Sequence, residues 1–149
     1  MSNTLFAFLK KLNVPSQNAL QASIDALGFD LKIDPDMKLL VDTGFSPCQL
    51  NGVGDVGFEL LYEDSKSLIA GNEEFRFIAG ENDVCISFSW GGRMKDFACV
   101  MIVSCALAKD FDAVVTYEGQ EPGNLADMLA ATAEIIEYAM NESGHETAR

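Results

Sequence analysis

The chain of 149 residues reads as an α+β domain. Three observations predict this class. Short segments between Asp55 and Trp90 alternate apolar and polar residues at period two, the signature of strands with one buried face. The stretch from Met94 to Lys109 is apolar nearly all round, as a central helix is. From Leu125 onward apolar residues return at helical spacing. Strands grouped together, with helices before and after them, point to an antiparallel sheet covered on one face by helices. We therefore expect four to five antiparallel strands, N-terminal helices, a buried central helix and a C-terminal helix packed on the sheet. Residues 1–149 form one domain in this reading, with 1–28 its N-terminal helical segment.

Taken in order, Leu5, Phe8, Leu9 and Leu12 predict a first helix over Thr4 to Leu12. A second helix begins near Pro15, a residue tolerated in a first turn. Its buried stripe is Leu20, Ile24 and Leu27. Gly28 ends it as a left-handed cap, with Phe29 packing back. Leu31 to Ile33 and Met37 to Val41 are expected to be short strands. Gly44 to Gly54 holds three glycines and one proline, which predicts a loop.

Three further strands are expected. In Asp55 to Glu63, the residues Val56, Phe58, Leu60 and Tyr62 alternate with Gly57, Glu59 and Glu63. Phe75 and Phe77 flank Arg76. Val84, Ile86, Phe88 and Trp90 alternate with Cys85, Ser87 and Ser89. A turn at Gly80 to Asp83 would make the last two an antiparallel hairpin. Gly91 and Gly92 break the sheet before the apolar helix, whose Val100, Ile102 and Val103 would also suit a strand. Ala113 to Tyr117 is a short buried strand, and Gly119 to Gly123 a loop. The last helix carries the stripe Leu125, Met128, Leu129, Thr132, Ile135, Ile136, Ala139 and Met140. Asn124 caps it, with Asp127 in a capping-box arrangement. Beyond Asn141 the chain is polar, and residues 142–149 are expected to fray.

Charge is the strongest functional signal. There are 23 acidic and 10 basic residues, a formal net charge of −13. From Asp110 to the end, nine acids face a single base, Arg149. Such a surface repels nucleic acid and anionic lipid and attracts basic proteins. Lys10 and Lys11 are adjacent, but no aromatic-basic interleaving marks a nucleic-acid site. The longest apolar run, Phe97 to Ala108, is too short for a helical span, which needs about 20 residues. Lys10 and Lys11 follow the first apolar stretch, the reverse of a signal peptide. A cytoplasmic protein with no membrane partner is expected.

The cysteines, Cys48, Cys85, Cys99 and Cys105, show no C-x-x-C spacing, and no histidine is near them. They read as reduced and buried rather than as zinc ligands or a disulfide framework. His145, the single histidine, lies in the polar tail, away from any nucleophile that it could activate. Asn51-Gly52-Val53-Gly54 contains a G-x-G without the third glycine or the following helix of a dinucleotide site. Asp34, Asp36 and Asp42 form an acidic cluster without the spacing of an EF-hand. Neither a metal nor a cofactor is expected. Glu118 and Glu121 flank Gly119 in a loop after a strand, where sites often lie, although ordinary loop charges would look the same. Gly91-Gly92-Arg93 either turns the chain or offers an anion site at a helix N-terminus. Trp90 continues the apolar face of its strand, as a core residue or, beside Arg93, as an interface anchor.

Ser89-Trp90-Gly91-Gly92-Arg93, the apolar helix, and Asp112-Ala113-Val114-Val115-Thr116-Tyr117-Glu118-Gly119 together resemble a layout of small acidic bacterial immunity-type proteins, which neutralise toxins. The resemblance spans Ser89 to Gly119 and transfers no functional residue. It implies a non-enzymatic protein that binds and neutralises a basic partner, possible toxins included. The candidate contact residues are Trp90, Arg93, Tyr117, Glu118, Glu121, Asp34, Asp36 and Asp42. Two alternatives stand beside it. Length, acidity and α+β layout also suit an acidic homodimeric secretion chaperone, though such chaperones carry an extra strand pair after the central helix. A small enzyme or ligand-binding domain would use the Gly44 to Gly54 and Glu118 to Glu121 loops around a cleft.

Overall fold

The N-terminal segment carries apolar residues on both of its sides. In the computed structural model, which describes residues 3–117 and 122–147 with 142–147 as backbone, Asn3–Leu9 forms β1. The expected first helix is therefore a strand. Its run Leu5-Phe6-Ala7-Phe8-Leu9 is apolar at every position because both faces are covered. Leu5, Ala7 and Leu9 enter one core and Phe8 another. Leu12, which completed the helical spacing, is 92% exposed.

The remaining strands are β2 (Leu31–Ile33), β3 (Gly44–Leu50), β4 (Val53–Asp64), β5 (Val84–Trp90) and β6 (Val114–Tyr117). They make one six-stranded sheet in the order β2-β3-β4-β5-β1-β6. Every described pairing is antiparallel. The fold is α+β, with six strands where four or five were expected.

Three strand assignments need correction. Gly44 to Gly54 is not a loop but a hairpin, in which Leu50 pairs with Val53 across Asn51 and Gly52. Asn51 (φ 50°) and Gly52 (φ 81°) both take the left-handed backbone that a two-residue hairpin turn requires. Met37 to Val41 is not a strand. The Asp34 carboxylate accepts the Asp36 N–H at 3.0 Å and the Asp42 carboxylate accepts the Lys38 N–H at 2.8 Å, which holds the segment in turns. Met37 and Leu39 still bury their side chains in the main core. Phe75 and Phe77 lie in a 3-10 turn (Glu73–Phe75) and a short helix, and not in a strand. The partners of β5 are accordingly β4 and β1, not a strand at Phe75.

The helices are α1 (Gln17–Ala26), α2 (Ser65–Gly71), α3 (Arg76–Ala79), α4 (Met94–Asp110) and α5 (Leu125–Thr147). The Ser16 hydroxyl caps α1 by accepting the Ala19 N–H at 3.2 Å, and Gly28 follows it at φ 88°. The Asn124 side chain accepts the Asp127 N–H at 2.9 Å and bonds back to the Asp127 carboxylate, as the capping pattern predicts. The helix that starts at this cap continues past Asn141 to Thr147, where fraying was expected from residue 142.

Helix α4 lies across the sheet, and α1 and α5 pack against α4. This position explains a helix without a polar face: it meets the sheet on one side and helices on the others. Residues Ala98 to Leu107 are all buried. The Ser23 hydroxyl donates to the Asp110 carboxylate and ties α1 to the end of α4. The second sheet face is covered only in part. Segment 65–79, containing α2 and α3, sits over one end of it and brings Leu68, Phe75 and Ala79 onto Phe8 and Cys85. Phe75 lies 4.8 Å from Phe6 and 5.7 Å from Phe8 between ring centroids. The expectation that helices cover one face thus holds for α1, α4 and α5 but not for α2 and α3.

Candidate protein-interaction surface

Six of the eight sequence-predicted contact residues lie among the described residues, and these six do not form one cluster. Trp90 is 6% exposed. Its indole stacks on Phe97 at 4.7 Å with an interplanar angle of 9°, and Tyr117 lies 5.9 Å away. The Tyr117 hydroxyl donates to Asn3 Oδ1 at 3.0 Å. This aromatic cluster fills the end of the core between β5, β6 and α4.

Arg93 is engaged within the molecule. Its Nε donates to Asp96 Oδ2 and its Nη2 to Asp96 Oδ1, both at 3.0 Å. Nη2 also donates to the Asp55 carbonyl at 2.5 Å. Asp96 Oδ1 accepts the Gly57 N–H at 3.0 Å. The network joins the start of β4 to the first turn of α4. A carboxylate in that first turn also complements the helix dipole. Gly91-Gly92-Arg93 turns the chain from β5 into α4, with the Arg93 guanidinium bonded to Asp96.

Asp34, Asp36 and Asp42 all lie in the segment between β2 and β3. Asp36 is exposed, and Asp34 and Asp42 are half-buried. Among the described residues none of the three has an ion-pair partner. Glu118 and Glu121, and with them most of the Gly119 to Gly123 loop, fall outside the described residues.

The sequence reading missed the uncovered part of the second sheet face. Strand pairing builds it in rows. One row runs Phe45, Glu59, Ser89, Thr4, and the next runs Leu61, Ser87, Phe6, Thr116. A third, Glu63, Cys85, Phe8, Val114, leads under α2 and α3. Phe45 is 60% exposed and Leu61 47% exposed, whereas Ser87 and Thr116 are buried and Phe6 is half-buried against Phe75. The Thr4 and Ser89 hydroxyls are hydrogen-bonded to each other at 3.1 Å.

Gly57 positions Phe45. A Cβ there would lie 2.2 Å from the Ser46 carbonyl oxygen and 2.8 Å from Phe45 Cζ. The bare glycine lets the β3 backbone approach and the Phe45 ring lie across it. Its φ of 156° also favours glycine. At the corner of this face, beside the β3–β4 turn, Lys32, Asp34, Pro47, Cys48, Gln49 and Asp55 line a cavity of about 450 Å³. Asp55 projects fully into solvent, and Lys32 is partnered by Asp25 at 3.8 Å.

A second cavity of about 470 Å³ lies beside the start of α2, with Lys11, Lys66 and Arg76 among its lining residues and Asp64, Glu81 and Asp83 opposing them in charge. Arg76 is held by the Glu73 carboxylate, which this hydrogen bond keeps below the usual carboxylate range.

All four cysteines are free and buried. Burial pushes the Cys85 thiol up to about 12 and raises that of Cys105. The Cys99 thiol is raised by hydrogen bonding to the Cys48 thiol and by burial. Such thiols are poor nucleophiles and poor metal ligands. Among the described residues no three His, Cys, Asp or Glu side chains converge as a metal site, and no helix is long and apolar enough to cross a membrane. No family model matches the chain, and neither curated proteins nor solved structures give a match.

Proposed function

We propose that this chain is a binding protein that takes a basic protein partner and makes or breaks no bond in it. The observation that carries this reading is the acidic rim along β2, β3 and β4. Asp34, Asp36, Asp42, Asp55 and Glu59 all lie there. Only Asp55 has a basic side chain within reach, Arg93 at 4.0 Å, among the described residues. Carboxylates without basic partners raise the negative potential of the protein and steer a cationic protein into contact. Two exposed apolar side chains, Phe45 opposite Glu59 in the β3–β4 pairing and Leu61 two residues further along β4, supply the contact area that charge alone lacks. Blocking of a cationic toxin, in the manner of the immunity-type proteins that Ser89 to Gly119 resembles, is the form of this activity that we favour.

The test is capture on the immobilised chain from lysate of its source at low salt, followed by kinetics with the purified partner. The expected partner is basic, and its affinity falls steeply as salt rises because exposed charges are screened. Reversing Asp34, Asp36 and Asp42 to lysine should slow association by about tenfold with little change in dissociation. An acidic partner, or an affinity indifferent to salt, would refute the reading. Turnover of a small molecule by the purified chain would refute it equally.

A further inference from the structure

We infer that segment 65–79 is a strap that opens as a unit while the rest of the molecule stays folded, and that its position sets how much apolar sheet surface the protein presents. The topology permits this. The segment connects β4 to β5, and those strands stay paired as far as Asp64 and Val84, at its root. The Ser65 N–H donates to the Asp83 carbonyl at 3.0 Å, so the two ends of the connection meet. A connection closed at its base can lift from the sheet without breaking a strand pair. Gly80, at φ 54°, ends α3 and forms the second hinge.

Little holds the strap down. Its side-chain bonds stay within it: Arg76 donates to Glu73, and the Asn72 amide donates to the Leu68 carbonyl at 3.2 Å. Among the described residues, the hydrogen bonds that tie it to the rest of the chain lie at its two ends, from Ser65 to Asp83 and from the Gly80 and Asn82 N–H groups to the Arg76 and Ala79 carbonyls. Its hold on the sheet is a small apolar cluster, in which Leu68, Phe75 and Ala79 cover Phe8 and Cys85. The main core, by contrast, joins α1, α4 and α5 to the other sheet face. A region with few buried apolar side chains and few cross-links opens at a lower free energy than the whole domain.

Two defects weaken the closed form further. The Ser65 hydroxyl is buried without a hydrogen-bond partner among the described residues, and lifting the strap returns it to water. The cavity of about 470 Å³ separates Ser65, Ile69 and Arg76 of the strap from Lys11, Asp83 and Val84, so contact is incomplete at that end. Opening adds Phe6, Phe8 and Val114 to the apolar side chains already exposed on this face, Phe45 and Leu61.

Cys85 lies under the strap and Cys99 in the main core, and both are fully buried. Each reacts as a thiolate, and only from an opened form. The full chain is therefore pulsed with N-ethylmaleimide in mildly alkaline buffer over a urea series, and peptide mass spectrometry reads the labelling rate at each cysteine. Cys85 should be labelled at least about tenfold faster than Cys99 without urea. Its rate should depend weakly on urea, because strap opening exposes little surface, whereas that of Cys99 carries the full dependence. Leu68→Ala should speed labelling of Cys85 about tenfold or more, and Phe75→Leu, a milder variant should the first not fold, should speed it as well. Ile102→Val weakens the main core in closed and open forms alike. It should speed labelling of Cys99 about threefold and leave Cys85 unchanged within about twofold. Equal rates and equal urea dependence at the two cysteines, rising together in Ile102→Val, would show that the strap opens only with the whole domain and would overturn the inference. A Cys85 rate that neither strap variant moves would overturn it too. No partner is present in these measurements, so they leave charge-driven binding untouched.

Discussion

The two faces of strand β5 obey different rules. Val84, Ile86, Phe88 and Trp90 point toward α4 and are all buried. Cys85, Ser87 and Ser89 point the other way, where α2 and α3 cover only the Cys85 end. On the first face every large side chain is enclosed by the chain's own helices. On the second, the positions beyond Cys85 carry small hydroxyl side chains, of which Ser87 is buried and Ser89 half-buried. Phe45 and Leu61 depart from that pattern as large apolar side chains left exposed.

The largest difference between the faces should appear on truncation. Phe88, fully buried and edge-on to Phe58 at 5.3 Å, should lose about 3–5 kcal/mol on Phe88→Ala, because a cavity is left that its surroundings cannot fill. Phe45→Ala should change stability by no more than about 1 kcal/mol, since its ring is already largely wet. Urea unfolding compares the two, and similar losses would abolish the distinction.

Alkaline titration probes the enclosed regions next. A thiol held protonated in the folded state keeps its proton where the unfolded chain has released it, so stability is full below the unfolded thiol value near 8.5 and falls as pH rises above it. Cys85, Cys99 and Cys105 are all raised, and Cys85, pushed up to about 12, should by itself cost about 2 kcal/mol by pH 10. The urea midpoint in reductant should therefore drop between about pH 8.5 and the folded value of Cys85, about 12. Cys85→Ala, beneath α2 and α3, should make that slope shallower. A flat profile would mean that these thiols are not enclosed.

Gly57→Ala acts at the border between the faces. The added methyl group clashes with the Ser46 carbonyl and displaces the Phe45 ring, so a loss of about 1–3 kcal/mol is expected, together with weaker partner binding. The smallest effect should come from Glu59→Gln. Stability should move by less than about 0.5 kcal/mol while partner association slows. A stability loss as large as that of a core residue would place Glu59 in the framework of the fold.

Much of the framework was legible in local pattern. The α1 stripe with its Gly28 stop, the alternation in β4 and β5, the apolar α4 and the Asn124 cap all follow from periodicity and capping chemistry, which act within a few residues. The Asn51-Gly52 pair between two short strands was an available hairpin signal, and glycine content masked it. The β1 run was ambiguous because a strand covered on both faces loses its alternation. Phe75 and Phe77 misled for a related reason. A strand would put them on one side together, whereas the helical turn sends Phe75 into the core and leaves Phe77 95% exposed.

The candidate site was less legible. Trp90, Arg93 and Tyr117 drew attention as residue types common in interfaces, yet stacking on Phe97 and the bidentate bond to Asp96 occupy two of them within the molecule. Phe45, Leu61 and Glu59, from β3 and β4, belong to a surface that exists only once strand register is set.

What the sequence determined by itself was the class of fold, most helices and the sign of the surface potential, because these depend on composition and on neighbours a few residues apart. Tertiary structure alone decided which strand lies at the centre, which sheet face keeps an open half and where acids and apolar residues meet. Those outcomes depend on pairings between residues as distant as Thr4 and Ser89, and no local pattern encodes which partner a strand will find.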